Sequence, residues 1–289
     1  MVMLEINEEI IRLIDRTIEE DLDGGIDVTS VATIPDGLES DAQFLAKADG
    51  VVAGVEIAEL VMKRCGVFGF KTLRRDGDSV KRGKRIAIAT GDTRSILLAE
   101  RTALNFMTHL SGIATLTARW VEAVAGTKAK IRDTRKTTPG LRTLEKYAVR
   151  LGGGVNHRSS LAEQALIKDN HIAASGSLTV AFLALREEFS NIEAEVEVDD
   201  LDQLREAIGA GATLIMLDNM DLEMTKRAVE ITAGRAKLES SGGLSLENAR
   251  AYAECGVDYL AVGALTHSAP ALDISLDISN RNSSSKGSK

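Results

Sequence analysis

Aromatic side chains are scarce: Phe, Trp and Tyr together make up 3% of the 289 residues. Stacking platforms for exposed bases are therefore in short supply, which argues against a single-stranded nucleic-acid binder. Positive charge is also short overall. Lys and Arg number 35 against 43 Asp and Glu, a formal net charge of −8, which argues against tracking a duplex backbone. The two cysteines, Cys65 and Cys255, lie far apart with no Cys-x-x-Cys spacing, as suits a reducing compartment. No run approaches about 18 uncharged apolar residues, so no membrane span is expected. The start, MVMLEINEEI, lacks the basic-then-apolar pattern of a secretory signal. These shortages together lead to the expectation of a cytoplasmic protein with neither nucleic acid nor membrane as partner.

What the chain does hold is aliphatic bulk and one concentration of positive charge. Hydrophobic residues reach 44%, enough for a sizeable core that must be aliphatic. From Lys128 to Lys168 there are ten Lys or Arg and three Asp or Glu, a local +7 that leaves −15 for the remainder. Clustered cations repel one another unless an anion joins them, so this segment suits a pocket for a small, highly negative ligand. A solvated basic helix face would show the same count. The placement favours the pocket: Arg135 and Lys136 follow the strand-like Lys130–Asp133, His157 and Arg158 follow the triple glycine Gly152–Gly154, and Lys168 follows Ala165-Leu166-Ile167. These are ends of elements, not one helical stripe.

Along the chain, Ile6, Ile10, Leu13, Ile14 and Ile18 recur at helical spacing and predict an amphipathic helix over 5–20. Residues 43–48 read as a strand running into a hairpin turn at Asp49-Gly50. Val55–Arg64 reads as a short helix, and turns at Asp76-Gly77 and Arg82-Gly83 separate short strands. Residues 95–125 are strongly helical. Ser111-Gly112 is expected to break them, because Gly costs about 1 kcal/mol relative to Ala inside a helix. The boundary of a small α+β domain, 1–112, is placed there. From about 129 the pattern turns to strand–helix repeats, with strands at Lys130–Asp133, Ala194–Val198, Leu214–Leu217, Lys237–Glu239 and Tyr259–Val262. Asp200 and Ser245 are read as helix N-caps. The expected fold is α/β: an incomplete TIM-like barrel over 113–270 beside the smaller α+β domain. A doubly wound sheet is the runner-up, but no GxGxxG follows a first strand. Residues 271–279 alternate as a half-buried strand that can return to the first domain, and 280–289 form a tail expected to be disordered.

In such barrels chemistry sits at the carboxyl ends of the strands. Those ends carry Thr134, Arg135 and Lys136; Lys168; Glu197; Asp218; Ser241, Gly242 and Gly243; and Val262, Gly263 and Ala264. The last two groups suit phosphate binding through backbone amides, although both could be plain tight turns. Glu197 and Asp218 on neighbouring strands would suit Mg²⁺ held partly through water and ligand phosphates, or a carboxylate pair neutralised by Lys168 or Lys136. Periodicity cannot choose between Glu195 and Glu197, which share a face. Arg101 sits among apolar neighbours in a helix, where a surface arginine is the plainer reading.

The stretches RTALN (101–105), DTRKTTPGLR (133–142), GGGVNHR (152–158), IKDNH (167–171), EVEVD (195–199), MLDN (216–219), SGG (241–243) and AVGALTH (261–267) resemble the quinolinate phosphoribosyltransferases. The resemblance covers nearly the whole chain except the tail. It implies a small α/β domain with an incomplete barrel, and a dimer or dimer-built hexamer with shared sites. The implied reaction converts quinolinate and phosphoribosyl pyrophosphate (PRPP) to nicotinate mononucleotide, CO₂ and pyrophosphate, with Mg²⁺, in de novo NAD biosynthesis. Carried over by position, Arg101 would reach quinolinate from the partner subunit, and Arg135, His157 and Arg158 would hold its carboxylates. Thr134 belongs to the same substrate-binding set. Lys136 and Lys168 would serve substrate and pyrophosphate charges. Glu197, which the resemblance selects over Glu195, and Asp218 would bind ribose hydroxyls and metal, with Ser241–Gly243 and Val262–Ala264 around the 5′-phosphate. The alternatives are a phosphoribosyltransferase for another heteroaromatic acid (ModD-like), an aldolase using Lys168 as Schiff base, and a non-catalytic phosphosugar-binding regulator.

Overall fold

Asn7 caps the first helix: its side-chain oxygen accepts from the Ile10 amide at 3.0 Å. The structure, a computed structural model, describes residues 3–280. The cap sets the start of α1 at Glu8–Leu22, so Ile6 lies outside the helix and is 38% exposed, while Ile10 and Ile14 face the core. Two units divide the chain. The first runs through Leu116 and includes Arg150–Gly152 and the segment from Ala269 on; the second comprises Thr117–Val149 and Gly153–Ser268.

In the first unit, α1 is followed by α2 (Val28–Thr33), β1 (Glu39–Ala46), β2 (Gly50–Val51), α3 (Val55–Arg64), β3 (Gly69–Thr72), β4 (Ser79–Val80), β5 (Arg85–Asp92) and α4 (Thr93–Ala123). The four-stranded sheet has the order β12-β1-β5-β3, where β12 is Ile274–Asn280. Strand β12 lies antiparallel to β1, in a register that sets Phe44 against Leu276. Alternation along β1 buries Ser40, Ala42, Phe44 and Ala46. Residues 281–289, most of the expected tail, lie outside the described residues, and Asn280 ends β12.

Two expectations fail here. Asp49-Gly50 makes no hairpin between neighbours in sequence: β1 pairs with β5 and β12, and β2 pairs with β4. The Asp49 carboxylate instead accepts from Arg82 N at 2.8 Å and Lys81 Nζ at 2.9 Å. Nor does Ser111-Gly112 break the helix, for α4 runs unbroken over 31 residues. Gly112 is there for closeness, since a Cβ on it would sit 2.2 Å from the Pro270 carbonyl oxygen. Ser111 Oγ accepts from Ala53 N at 2.9 Å and donates to Ala53 O at 3.0 Å. Both small residues serve packing that local propensity cannot register.

The second unit alternates strand and helix: β6 (Lys130–Arg132), α5 (Arg142–Leu151), β7 (Ala165–Ile167), α6 (Asp169–Ser175), α7 (Leu178–Glu188), β8 (Ala194–Val198), α8 (Leu201–Gly209), β9 (Leu214–Asp218), α9 (Leu222–Thr232), β10 (Lys237–Ser241), α10 (Leu246–Glu254), β11 (Tyr259–Ala261) and α11 (Ala264–His267). Asp200 caps α8 by accepting from Asp202 N and Gln203 N, and Ser245 with Asn248 forms a capping box on α10. Short caps and left-handed glycines such as Gly211 and Gly256 keep the repeats tight. The described strands form a parallel sheet in the order β6-β11-β10-β9-β8-β7. This is an incomplete barrel: β6 and β7 are the end strands of the sheet, the free edge of β6 is met by a single parallel bridge at Val155, and His157 from the β6 side reaches Glu195 on β8 across the interior. Outward residues Val196, Val198, Ile215, Leu217, Leu238 and Leu260 are buried. The inward side is not aliphatic as composition implied; it carries Arg132, Glu195 and Glu239. Among the described residues no helix is long and apolar enough to cross a membrane.

Candidate active site

A cavity of about 470 Å³ opens at the carboxyl ends of the barrel strands. Its wall is built strand by strand, because inward positions alternate and the last one of each strand reaches the mouth. Thr134, Arg135 and Lys136 follow β6; His157 and Arg158 follow α5; Leu166 and Lys168 lie on and after β7; Glu197 ends the inward row of β8. Met216, Asp218 and Asn219 come from β9, Ser241 and Gly242 from β10, and Ala261 from β11. Ten of the residues expected from sequence thus meet around one space. Gly243, Val262, Gly263, Ala264 and Arg101 are not in its lining. Arg101 is exposed on α4 in the first unit.

Four cations, Arg135, Lys136, Arg158 and Lys168, face two carboxylates, Glu197 and Asp218, so the lining carries net positive charge inside a chain of net −8. Lys168 Nζ donates to Glu197 Oε2 at 2.6 Å. The Lys168 head is thereby anchored on Glu197 at the cavity wall. Arg135 leaves its Nε buried with no partner among the described residues, so part of its donor capacity awaits a ligand. Burial, and then the neighbouring Arg135, press the Arg158 guanidinium below its ordinary range. Such mutual repulsion is relieved when an anion enters between the two. The remaining cations of the basic segment do other work. Arg132 and Lys146 are buried in ion pairs, and Arg142 donates to Ser159 O at 3.0 Å.

The far wall is shaped by close backbone approach. Gly242 has φ +83°, and a Cβ there would meet Asn219 Oδ1 at 2.1 Å, so only glycine fits. Asn219 itself adopts φ 53°; its amide donates to Ser241 O at 2.8 Å and its side chain to Asp218 Oδ2 at 2.7 Å. Lys136 is tied to the β11 side, because Thr266 Oγ1 donates to its carbonyl at 2.7 Å.

Beneath the cavity lies a network that sequence reasoning did not assemble. His157 Nε2 is 2.7 Å from Glu195 Oε2 and 3.8 Å from Glu239 Oε1; Arg132 donates to Glu239 Oε2 at 2.8 Å. The Arg132 guanidinium also stacks 4.7 Å from the centroid of the Tyr259 ring. Burial pulls His157 down to about 4, so its ring is neutral, and pushes Glu195 up to about 7. Glu239 is likewise pushed up to about 7, by burial and then by Glu195. The histidine needs one correction. It reaches the cavity wall, but both ring nitrogens are committed inside the protein, since Nδ1 accepts from the Arg158 amide at 2.7 Å. It is not a free clasp for a carboxylate. The same spacing that flagged Thr134 and Ser241 could have pointed to Arg132 and Glu239, two residues earlier on the same faces.

His157, Glu195 and Glu239 bring ligand atoms within 4.8 Å of one another. A metal there would displace the His157–Glu195 hydrogen bond beside the Arg132 guanidinium, so Glu197 and Asp218 offer the better fit. Their oxygens are hard donors at the open cavity, and negative charge accumulates beside them. Asp199 is raised above the ordinary aspartate range by burial first, then by Asp218, Asp169 and Asp200. A second cavity, about 560 Å³, shares Arg158 and Leu166 but is otherwise lined mainly by Ala and Leu, with no comparable set of opposed charges.

An incomplete α/β barrel whose mouth gathers cations, carboxylates and close backbone amides defines a site for a ligand with several negative charges. Residues 27–111 match the family described as quinolinate phosphoribosyl transferase, N-terminal domain, and residues 113–277 match its C-terminal domain. The chain belongs to the quinolinate phosphoribosyltransferase family. It is 52% identical over 271 residues to nicotinate-nucleotide pyrophosphorylase (carboxylating) of Mycobacterium leprae (strain TN), covering 92% of this chain and 95% of that protein. It is 41% identical over 284 residues to the probable nicotinate-nucleotide pyrophosphorylase (carboxylating) of Bacillus subtilis (strain 168), covering 94% of each. The nicotinate-nucleotide pyrophosphorylase structure from Francisella tularensis superposes with a TM-score of 0.91 at 38% identity, covering 95% of this chain and 98% of that one.

Proposed function

We propose that the cavity joins quinolinate to PRPP, releasing pyrophosphate and CO₂ and forming nicotinate mononucleotide. The observation that carries this reading is the set of four cations, drawn from three loops, around one space that also holds two carboxylates and the Gly242 turn. A pyridine with carboxylates on adjacent carbons, together with a phosphate and a pyrophosphate, needs that many fixed positive groups. Arg135 and Arg158 clamp the diacid, because a guanidinium fork matches a carboxylate in a way an ammonium does not. Lys136 and Lys168 meet the pyrophosphate. Glu197 and Asp218 accept from the ribose hydroxyls, and the Gly242 turn presents backbone amides to the 5′-phosphate; Val262–Ala264 lie outside the lining, and the Val262 amide already donates to Arg132 O at 2.9 Å. Mg²⁺ is the cofactor of this reading, and Glu197 and Asp218 would hold it, partly through water and PRPP. Bound there, it would supply positive charge against the leaving pyrophosphate.

The ring nitrogen attacks the anomeric carbon as the carbon–oxygen bond to pyrophosphate breaks, so positive charge develops on the ribose and then on the pyridinium. Catalysis is mainly placement and electrostatics; no protein nucleophile is needed. The carboxylate beside the nitrogen leaves as CO₂, its bonding pair remains on the ring carbon next to the positive nitrogen, and a proton from water completes the product.

The test is CO₂ release and mononucleotide formation with quinolinate set against nicotinate. Turnover of quinolinate is expected; turnover of nicotinate alone would replace this reading with that of a different acid-specific phosphoribosyltransferase. The reading includes a dimer, or a hexamer built as a trimer of dimers, in which Arg101 serves the partner's site. Mixing inactive Arg101→Ala and Asp218→Ala subunits is then expected to restore up to about a quarter of the activity, as random pairing leaves one intact site in half the dimers. No recovery after verified subunit exchange would remove Arg101 from the shared site.

A further inference from the structure

Glu195 is wholly buried and does not line the cavity, yet it is a carboxylate on the inner face of the barrel. Taking such a group out of water is costly, and an apolar side chain would pack there without that penalty. Its one hydrogen-bond partner among the described residues is His157 Nε2, at 2.7 Å; its Oε1 has none. The other ring nitrogen, Nδ1, lies 2.7 Å from the Arg158 amide. An amide N–H can only donate, so Nδ1 carries no proton, and the neutral ring must bear its hydrogen on Nε2, aimed at Glu195.

The backbone of His157 is held as firmly as its ring. Its N–H donates to Asp133 Oδ1 at 2.7 Å, and its carbonyl accepts from Lys146 Nζ at 2.8 Å. Arg158 is consequently fixed at both ends: its amide rests on the His157 ring, and its NH1 donates to Gln164 O at 2.8 Å. The guanidinium that reaches the cavity therefore stands at the end of a chain that starts at Glu195.

We propose that Glu195 is a positioning residue for the acid clamp. By accepting the Nε2–H of His157 it fixes the ring tautomer that seats the Arg158 amide, and so sets where the Arg158 guanidinium meets a ligand carboxylate. The inference rests on the reading above in that the carboxylate belongs to quinolinate. The hydrogen-bond chain itself is a property of the protein alone. The pattern matches the support given to metal-binding and catalytic histidines elsewhere, where a buried acceptor dictates which ring nitrogen is free.

The experiment compares wild type with Glu195→Leu, which removes the acceptor at similar volume, and Glu195→Gln, which keeps a carbonyl acceptor. Steady-state kinetics are expected to show quinolinate KM raised at least 10-fold in Glu195→Leu, with PRPP KM within twofold. Glu195→Gln should bring quinolinate KM back to within threefold of wild type. A folded Glu195→Leu variant with unchanged quinolinate KM, or with both KM values raised alike, overturns the proposal. Nitrogen-15 NMR of the histidine-labelled wild-type protein at neutral pH provides a readout free of substrate: His157 should show Nδ1 bare and Nε2 protonated. A charged ring or the opposite tautomer overturns the proposal whether or not the Leu variant folds. If wild type turns over nicotinate and not quinolinate, the functional reading fails by itself. The KM split is then read on nicotinate, whose single carboxylate still needs Arg158.

Discussion

The two interiors of this protein are built on opposite principles. In the first unit, Phe44, Ile57, Met62, Ile86, Ile96, Met107 and Leu110 are fully buried, and the buried hydroxyls are satisfied locally; Ser40 and Thr93 sit 2.7 Å apart. In the barrel, the inward faces hold Arg132, His157, Glu195 and Glu239, with the Lys146–Asp133 ion pair nearby. An apolar core gains free energy with every area buried and has no directional demands. An ionic interior is at best weakly stabilising, because desolvation offsets the attraction, but it fixes angles. The contrast teaches that the barrel spends stability on direction: its interior aims Arg158 and its neighbours at the cavity.

The sharpest way to break this contrast is to remove a cation from the mouth. Arg135→Ala is expected to lower quinolinate turnover by about 10³-fold, the loss of about two charge-assisted hydrogen bonds, while the melting temperature moves little. Product formation measured beside a melting curve checks it; near-normal activity would remove Arg135 from the site.

The ionic interior should also leave a mark on the pH dependence of stability. Glu239, normally near 4.5, is pushed up to about 7, so the folded protein keeps a proton that the unfolded chain releases. That contribution is complete below pH 4.5 and is lost as pH rises through 7. His157, pulled from 6.5 to about 4, acts in the opposite sense: stability falls as pH drops through that window, because the unfolded ring takes a proton the folded one refuses. Glu239→Gln deletes the first contribution. Its stability relative to wild type is expected to improve between pH 5 and pH 8, by at most about 3 kcal/mol. Chemical denaturation at both pH values reads it, and a parallel offset at the two would mean that Glu239 does not titrate in this window.

The smallest expected effect lies in the apolar unit. Gly112→Ala gains helix propensity but drives a methyl group into the Pro270 carbonyl, for a net loss of about 2 kcal/mol. Thermal melting should show the loss, with specific activity of the folded protein retained. A stabilised variant would mean the close approach at Gly112 relaxes freely.

Much of the architecture was legible because it is written in short-range chemistry. The spacing in Val55–Arg64 and in Ala194–Val198 matches α3 and β8, and Asp200 and Ser245 cap where caps were expected. The helix break at Ser111-Gly112 and the hairpin at Asp49-Gly50 failed because the partners that decide them, Pro270, Ala53, Lys81 and Arg82, lie far along the chain. The site was legible as a set of types at strand ends. Its lower layer was not, since nothing local distinguishes Glu195 from Glu197.

The sequence by itself determined the period of each element, and so which residues of a strand share a face and which of them stand at its end. Those are consequences of backbone geometry within a few residues. Only the tertiary structure decided that Arg135, Lys136, Arg158 and Lys168 surround one cavity while Arg132 and Lys146 turn inward to Glu239 and Asp133. A charge finds its counter-charge through space, and the distances that settle which pairs form exist only after the strands have curled into the barrel.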